Sequence, residues 1–119
     1  MTYQDALHYL SSFINYEKID TYNYAESFRL DRMRKLCGLL GNPEKSVRSI
    51  HVAGSKGKGS TAAMIQSILK DAGYRAGLYT SPHLVSFCER IRIGDEMISE
   101  AAVGSLTAAV KAAVEKMDG

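Results

Sequence analysis

The sequence predicts an α/β fold, and three features predict it. A β-branched run, Val47 to Ala53, leads into a glycine-rich stretch, Gly54 to Gly59. An apolar stripe with helical spacing follows, from Ser60 to Ala72, and a second β-type run, Arg75 to Thr80, comes after it. Strand, loop, helix and strand in that order make a βαβ unit, which implies parallel pairing and a right-handed crossover.

Thr2 to Ile14 reads as the first helix. Thr2 stands at its cap with Asp5 three residues on, a capping-box pattern, and Ala6, Leu7, Leu10, Phe13 and Ile14 share one face. Asn15 to Glu26 lacks an apolar period and is expected as a loop. Ser27 to Leu40 reads as a second helix striped by Leu30, Met33, Cys37 and Leu40. Gly41 suits a left-handed cap and Pro43 prevents the helix from resuming. Arg29, Arg32, Arg34 and Lys35 read as its solvated face.

The βαβ unit occupies Val47 to Thr80. Its helix turns Ala62, Ile65, Leu69 and Ala72 inward and ends at Gly73. Ser81-Pro82-His83 is turn-like. Cys88 to Ile93 alternates apolar and charged residues and is expected as a strand, hairpinned through Gly94-Asp95 to Met97–Ser99. Ser99 can cap a last helix striped by Val103, Leu106, Val110, Ala113 and Met117. The ending at Lys116 to Gly119 looks like a helix end rather than a domain end.

With 119 residues, 15 basic and 13 acidic, the chain carries a formal charge of +2. That balance gives no electrostatic argument for nucleic acid or a membrane surface. Cys37 and Cys88 lie outside any metal-binding spacing and are expected as reduced, partly buried thiols. No leader pattern and no apolar run near the ~18 residues of a membrane span is seen, so a cytoplasmic address is expected.

The chemistry concentrates in Gly54-Ser55-Lys56-Gly57-Lys58-Gly59-Ser60-Thr61. Glycines at 54, 57 and 59 allow tight, partly left-handed backbone, so that several N–H groups can face one anion. A helix start adds unpaired N–H groups and a partial positive charge. Lys58 can reach β- and γ-phosphates, and the hydroxyl of Ser60 or Thr61 can take a phosphate oxygen or Mg²⁺. The expected architecture is therefore an incomplete P-loop-type parallel sheet with N-terminal helices and a β-hairpin. The strict pattern G-x-x-x-x-G-K-[ST] does not fit, because Val52 stands at its first glycine and Gly59 follows Lys58.

This loop resembles the G-T-[NK]-G-K-G-S-T loop of the folylpolyglutamate synthase and dihydrofolate synthase family, within the wider Mur ligases. Phe28 to Met33, Leu40-Gly41-Asn42-Pro43, Leu78 to Leu84 and Glu89 to Ile93 with Ile98-Ser99 are similar to further motifs of that family, in order. Ser55 stands where Thr is commoner, and Gly94-Asp95 where Asn-Gly is.

The resemblance implies a ligase that uses ATP and Mg²⁺ to join L-glutamate to folate or dihydropteroate through an acyl phosphate. It implies that Gly54, Gly57, Lys58, Gly59, Ser60 and Thr61 hold the ATP phosphates, with Lys58 catalytic. It implies that Ser81 ligates the metal; from the residues alone Ser81 reads as a turn serine before proline. It further implies that residues 1–119 form the front part of an ATP-binding domain, and that a full-length monomer needs later metal ligands and a C-terminal glutamate ligase domain. A nucleotide-binding pseudoenzyme module and a cell-wall Mur ligase remain alternatives. His83 reads as a hydrogen-bonding residue or a catalytic one, His51 as packed, His8 as inert, and Arg90 and Arg92 as strand surface charges. A polypeptide of these residues alone is expected to show no ligation when supplied with ATP, Mg²⁺, a reduced folate and glutamate; phosphate release measures this.

Overall fold

The computed structural model describes residues 1–13 and 30–118. It divides into two compact units, Met1–Ser49 with Gly104–Gly119, and Ile50–Val103. The expected loop over 15–26, Ile14 and the first residues of the expected second helix lie outside the described residues.

In the first unit, α1 (Tyr3–Ser11) begins where its capping box requires. The Thr2 hydroxyl accepts from the Asp5 N–H at 3.1 Å, and the Asp5 carboxylate accepts from the Thr2 N–H at 3.3 Å. These bonds hold the Asp5 carboxyl below its usual range. Helix α1 buries Ala6 completely. It stops at Ser11, earlier than expected, because the Ser11 and Ser12 hydroxyls donate back to the His8 and Tyr9 carbonyls and compete with helical bonding.

Helix α2 (Leu30–Leu39) ends as its glycine foretells. Gly41 is left-handed at φ 85°, its N–H donates to Gly38 O, and the Asn42 N–H donates to Cys37 O at 2.7 Å. That pair of bonds is a Schellman motif. A 3-10 turn, Pro43–Ser46, follows. The expected apolar stripe of α2 is covered only in its second half: Leu30 at 60% exposure and Met33 at 56% stay open, while Cys37 and Leu40 are half-buried.

The second unit holds α3 (Lys58–Asp71) and a three-stranded sheet. Helix α3 starts two residues before the expected Ser60. Ala62, Ile65 and Leu69 are half-buried as expected and Gln66 shares their face, but Ala72, expected inward, is exposed because it is already the C-cap. A second Schellman motif closes α3: Gly73 at φ 93° donates to Lys70 O, and Tyr74 N–H donates to Leu69 O.

The sheet differs from expectation. Strands β1 (Gly77–Tyr79), β2 (Ile91–Ile93) and β3 (Glu96–Met97) pair antiparallel in that order. Val47 to Ala53 forms no strand, and no parallel pair occurs among the described residues. Strand β1 is an edge strand: one side pairs with β2, through Gly77 with Ile93, Leu78 with Arg92 and Tyr79 with Ile91, and its other side pairs with no described strand. A β-branched run without a ladder partner has propensity but no strand, and Val47 and Ile50 remain over 60% exposed.

The expected strand from Cys88 begins instead as a 3-10 turn, Phe87–Arg90. Ser86 and Glu89 form a capping box around it, and that local bonding outcompetes a ladder. The hairpin itself turns through Gly94-Asp95, with Gly94 left-handed at φ 61°. Cys88 is buried and Cys37 half-buried, both as free thiols.

Helix α4 (Glu100–Asp118) is capped by the Ser99 hydroxyl, which accepts from the Ala102 N–H at 3.1 Å. Its buried residues are Val103, Gly104, Thr107 and Ala113, whereas the expected Leu106 is 57% exposed. Gly104 explains part of this shift in face: a Cβ there would lie 2.5 Å from the Met1 carbonyl oxygen, so the bare backbone of α4 is itself a contact surface. No described helix is long and apolar enough to cross a membrane.

One side chain ties α3 to the hairpin. The Gln66 amide donates to Ala76 O at 3.2 Å and to Gly94 O at 2.9 Å, while the Gly94 N–H also donates to Ala76 O. Lys70 and Asp95 add an exposed ion pair beside it. Gln66→Leu keeps the packing volume and removes both donors. It is expected to lower stability by about 1–3 kcal/mol, read from the urea midpoint at unchanged slope.

Candidate functional site

The start of α3 leaves backbone donors open. Gly57 is its N-cap at φ 74°, a left-handed turn that costs a residue with Cβ about 1–2 kcal/mol. No side chain caps the helix. Thr61 is the first residue to donate inward, to Gly57 O at 3.0 Å. The N–H groups of Gly57, Lys58, Gly59 and Ser60 therefore have no intrahelical acceptor, and the helix dipole points its positive end the same way. Residues 54–61, including Lys56 and Lys58, are all exposed. Neither lysine has an ion-pair partner among the described residues.

A cleft of about 340 Å³ adjoins this helix start. Gly59 and Ala63 of α3 line one wall, Leu78 and Arg92 of the sheet line another, and Thr80, Ser81, Pro82, Leu84 and Glu89 complete it. The structure thus brings Gly59 and Ser81, 22 positions apart (81 − 59), into one concavity. Ser81 stands just past β1 because the Thr80 N–H continues the ladder, donating to Arg90 O at 3.0 Å. Gly54, Gly57, Lys58, Ser60 and Thr61 sit on the loop and first turn beside the cleft rather than in its lining.

The Ser81 hydroxyl is exposed and has no hydrogen-bond partner among the described residues. A hard-cation ligand of this kind suits Mg²⁺, which keeps several waters and is bound largely through phosphate oxygens. No group of three or more His, Cys, Asp or Glu able to hold a metal occurs among the described residues. A lone serine hydroxyl fits only a metal whose other ligands come with the phosphates.

Glu89 acts on the backbone. Its carboxylate accepts from the N–H groups of Leu84 at 3.1 Å, Val85 at 2.9 Å and Ser86 at 2.6 Å. Those bonds, with the nearby His83, hold its carboxyl below the usual range. The signal was present in the sequence as Ser86-x-x-Glu89, an S-x-x-E capping box. His83 accepts from Arg90 Nε at 2.8 Å through Nδ1 and packs edge-on against Phe87, with Arg90 over the same ring. His83 has the hydrogen-bonding role of its two readings, and Arg90 is a partner in that cluster rather than a free surface charge. Arg92 corrects the sequence reading too, since it lines the cleft. His51, expected to be packed, is exposed, because its segment joins no sheet.

No family model matches the chain. It is 46% identical over 89 residues to the dihydrofolate synthase/folylpolyglutamate synthase of Bacillus subtilis, covering 75% of this chain and 21% of that protein. It is 38% identical over 117 residues to folylpolyglutamate synthase of Lacticaseibacillus casei, covering 98% of this chain and 26% of that one. The solved structure of the Lactobacillus casei synthetase superposes with a TM-score of 0.83 at 38% identity, covering 98% of this chain and 27% of that chain. A folylpolyglutamate synthase complex with AMPPCP and folate superposes with a TM-score of 0.84. The chain spans about a quarter of the length of these proteins.

A carboxylate whose folded pKa is lowered contributes stability above its unfolded pKa, and that contribution is lost as pH falls through the folded value. Glu89 is such a group. Glu89→Gln is expected to melt below the wild type near pH 7. The gap is expected to close as pH falls below about 4, the ordinary carboxylate range. Paired thermal melts across this range check it.

Proposed function

We propose that this chain, which belongs to the folylpolyglutamate synthase and dihydrofolate synthase family, forms the ATP-phosphate end of an acid–amino-acid ligase. The substrates are ATP, L-glutamate and a folate or dihydropteroate carboxylate. The observation that carries this reading is the cleft shared by Gly59, at the uncapped start of α3, and Ser81, at the end of β1. Similarity to a synthase solved with AMPPCP and folate supports the same substrate class.

The chemistry has two balanced steps. A carboxylate oxygen bonds to the γ-phosphorus, and the bond to the β,γ-bridging oxygen breaks, its electron pair leaving with ADP. The glutamate amine then bonds to the acyl carbon, the carbon–oxygen bond to phosphate breaks with its pair, and the amine gives up a proton. Such transfer depends mostly on positioning and charge neutralisation. The N–H groups of residues 57–60 donate to phosphate oxygens, and Lys58 offsets charge at the transferring group. Gly59 lets the backbone approach closely. Ser60 and Thr61 offer hydroxyls at the same turn, and Gly54 opens the loop. Ser81 would hold Mg²⁺, which supplies Lewis-acid neutralisation of the phosphates when bound.

Titration calorimetry of the full-length protein with AMPPCP and Mg²⁺ tests this reading. Lys58→Ala is expected to weaken AMPPCP about tenfold or more, the effect of losing a charge-assisted contact. Ser81→Ala is expected to reduce the dependence of AMPPCP affinity on Mg²⁺. AMPPCP affinity unchanged by Lys58→Ala would falsify the phosphate-loop assignment.

A further inference from the structure

Two charged side chains line the cleft, and they are not equivalent. Glu89 is committed to the three backbone N–H groups of Leu84, Val85 and Ser86. Arg92 has no ion pair and no side-chain hydrogen bond among the described residues. It is nonetheless half-buried.

Its position is rigidly defined. Arg92 is the middle residue of the central strand, paired with Leu78 of β1 on one side and Met97 of β3 on the other. Directly opposed residues on neighbouring strands share a face, and Leu78 lines the same cleft. A guanidinium with five donors is thus carried on a strand bonded along both edges, among Ala63, Leu78 and Pro82. Guanidinium binds carboxylate or phosphate through two parallel N–H bonds, and apolar neighbours strengthen such a pair by lowering the local dielectric.

The division of labour selects between these anions. Phosphates are served by the start of α3, with its open N–H groups and two lysines. Beside Arg92 the cleft presents Leu78, Pro82 and Leu84 together with the Thr80 and Ser81 hydroxyls and the already committed Glu89 carboxylate, and its apolar stretch suits a carboxylate carried on an apolar body. We infer that Arg92 holds the substrate carboxylate that receives the phosphoryl group. The carboxylate and the γ-phosphate repel each other, and a guanidinium on the carboxylate offsets that repulsion while aiming one oxygen at phosphorus. This inference rests on the ligase reading above.

The test uses the full-length protein with Arg92→Met and Arg92→Lys. Two affinities are measured by calorimetry: AMPPCP with Mg²⁺, and then folate with AMPPCP present. Folate with its carboxylates converted to amides is the control ligand. Arg92→Met is expected to weaken folate about tenfold or more, with AMPPCP affinity within about twofold of wild type. Arg92→Lys, which keeps the charge and loses the fork, is expected to fall between the two. The amide control is expected to be indifferent to both substitutions. Folate affinity unchanged in Arg92→Met overturns the inference and leaves the ligase reading standing. Loss of AMPPCP affinity with folate unchanged also overturns it, as a phosphate contact. A wild-type protein that binds neither AMPPCP nor folate overturns both.

Discussion

Gly57 turns the chain into α3 with a left-handed backbone and leaves the helix without a side-chain cap. A helix entered through Ser, Thr, Asp or Asn would spend a side-chain oxygen on its own N–H groups. Here those groups stay open, in the unit where Ser81 and Arg92 line the neighbouring cleft. The arrangement gives up a cap that is ordinarily stabilising and keeps a concentrated positive potential at one point. The proposed chemistry depends on that potential, because the carboxylate and the γ-phosphate that react first are both negatively charged.

An open helix end is useful only if the opposite wall is held against it. Gln66 supplies part of that, donating from mid-α3 to the Ala76 carbonyl just before β1 and to the Gly94 carbonyl in the β2–β3 turn. Glu89 supplies the rest at the cleft rim by gathering three consecutive N–H groups around one carboxylate. The two residues act in opposite senses, one as an amide donor to carbonyls and one as an acceptor from amides. Gln66 reaches the Gly94 carbonyl and shares the Ala76 carbonyl with the Gly94 N–H, and Glu89 takes three N–H groups that lie outside the strands.

Local signals are legible in the sequence wherever the physics is local. The Thr2–Asp5 box, the glycine caps at Gly41 and Gly73, the Ser99 cap and the Gly94-Asp95 turn all lie where spacing implied. Each depends on bonds between residues at most five apart. The expected parallel strand over Val47 to Ala53 does not form, because a strand is a pairing and that run makes no ladder along the open edge of β1. The alternation from Cys88 is outcompeted by the nearer Ser86–Glu89 box, whose bonds close over a shorter span of chain. Leu106 falls outside the buried face because Gly104 allows backbone contact there, which periodicity of large apolar residues does not register.

By itself the sequence determined the family, and it set the residue types on which the proposed phosphate chemistry rests, since both reside in contiguous residues at fixed spacing. Glycine at 57 and 59 and lysine at 58 state their conformational freedom and charge without reference to the rest of the chain. The tertiary structure alone decided which distant residues share the cleft. Ser81 could be read as a turn and Arg92 as a surface charge until antiparallel pairing set Arg92 opposite Leu78 and beside the start of α3. Side-chain direction on a strand follows from register, and register is a property of the partner strand rather than of the residues themselves.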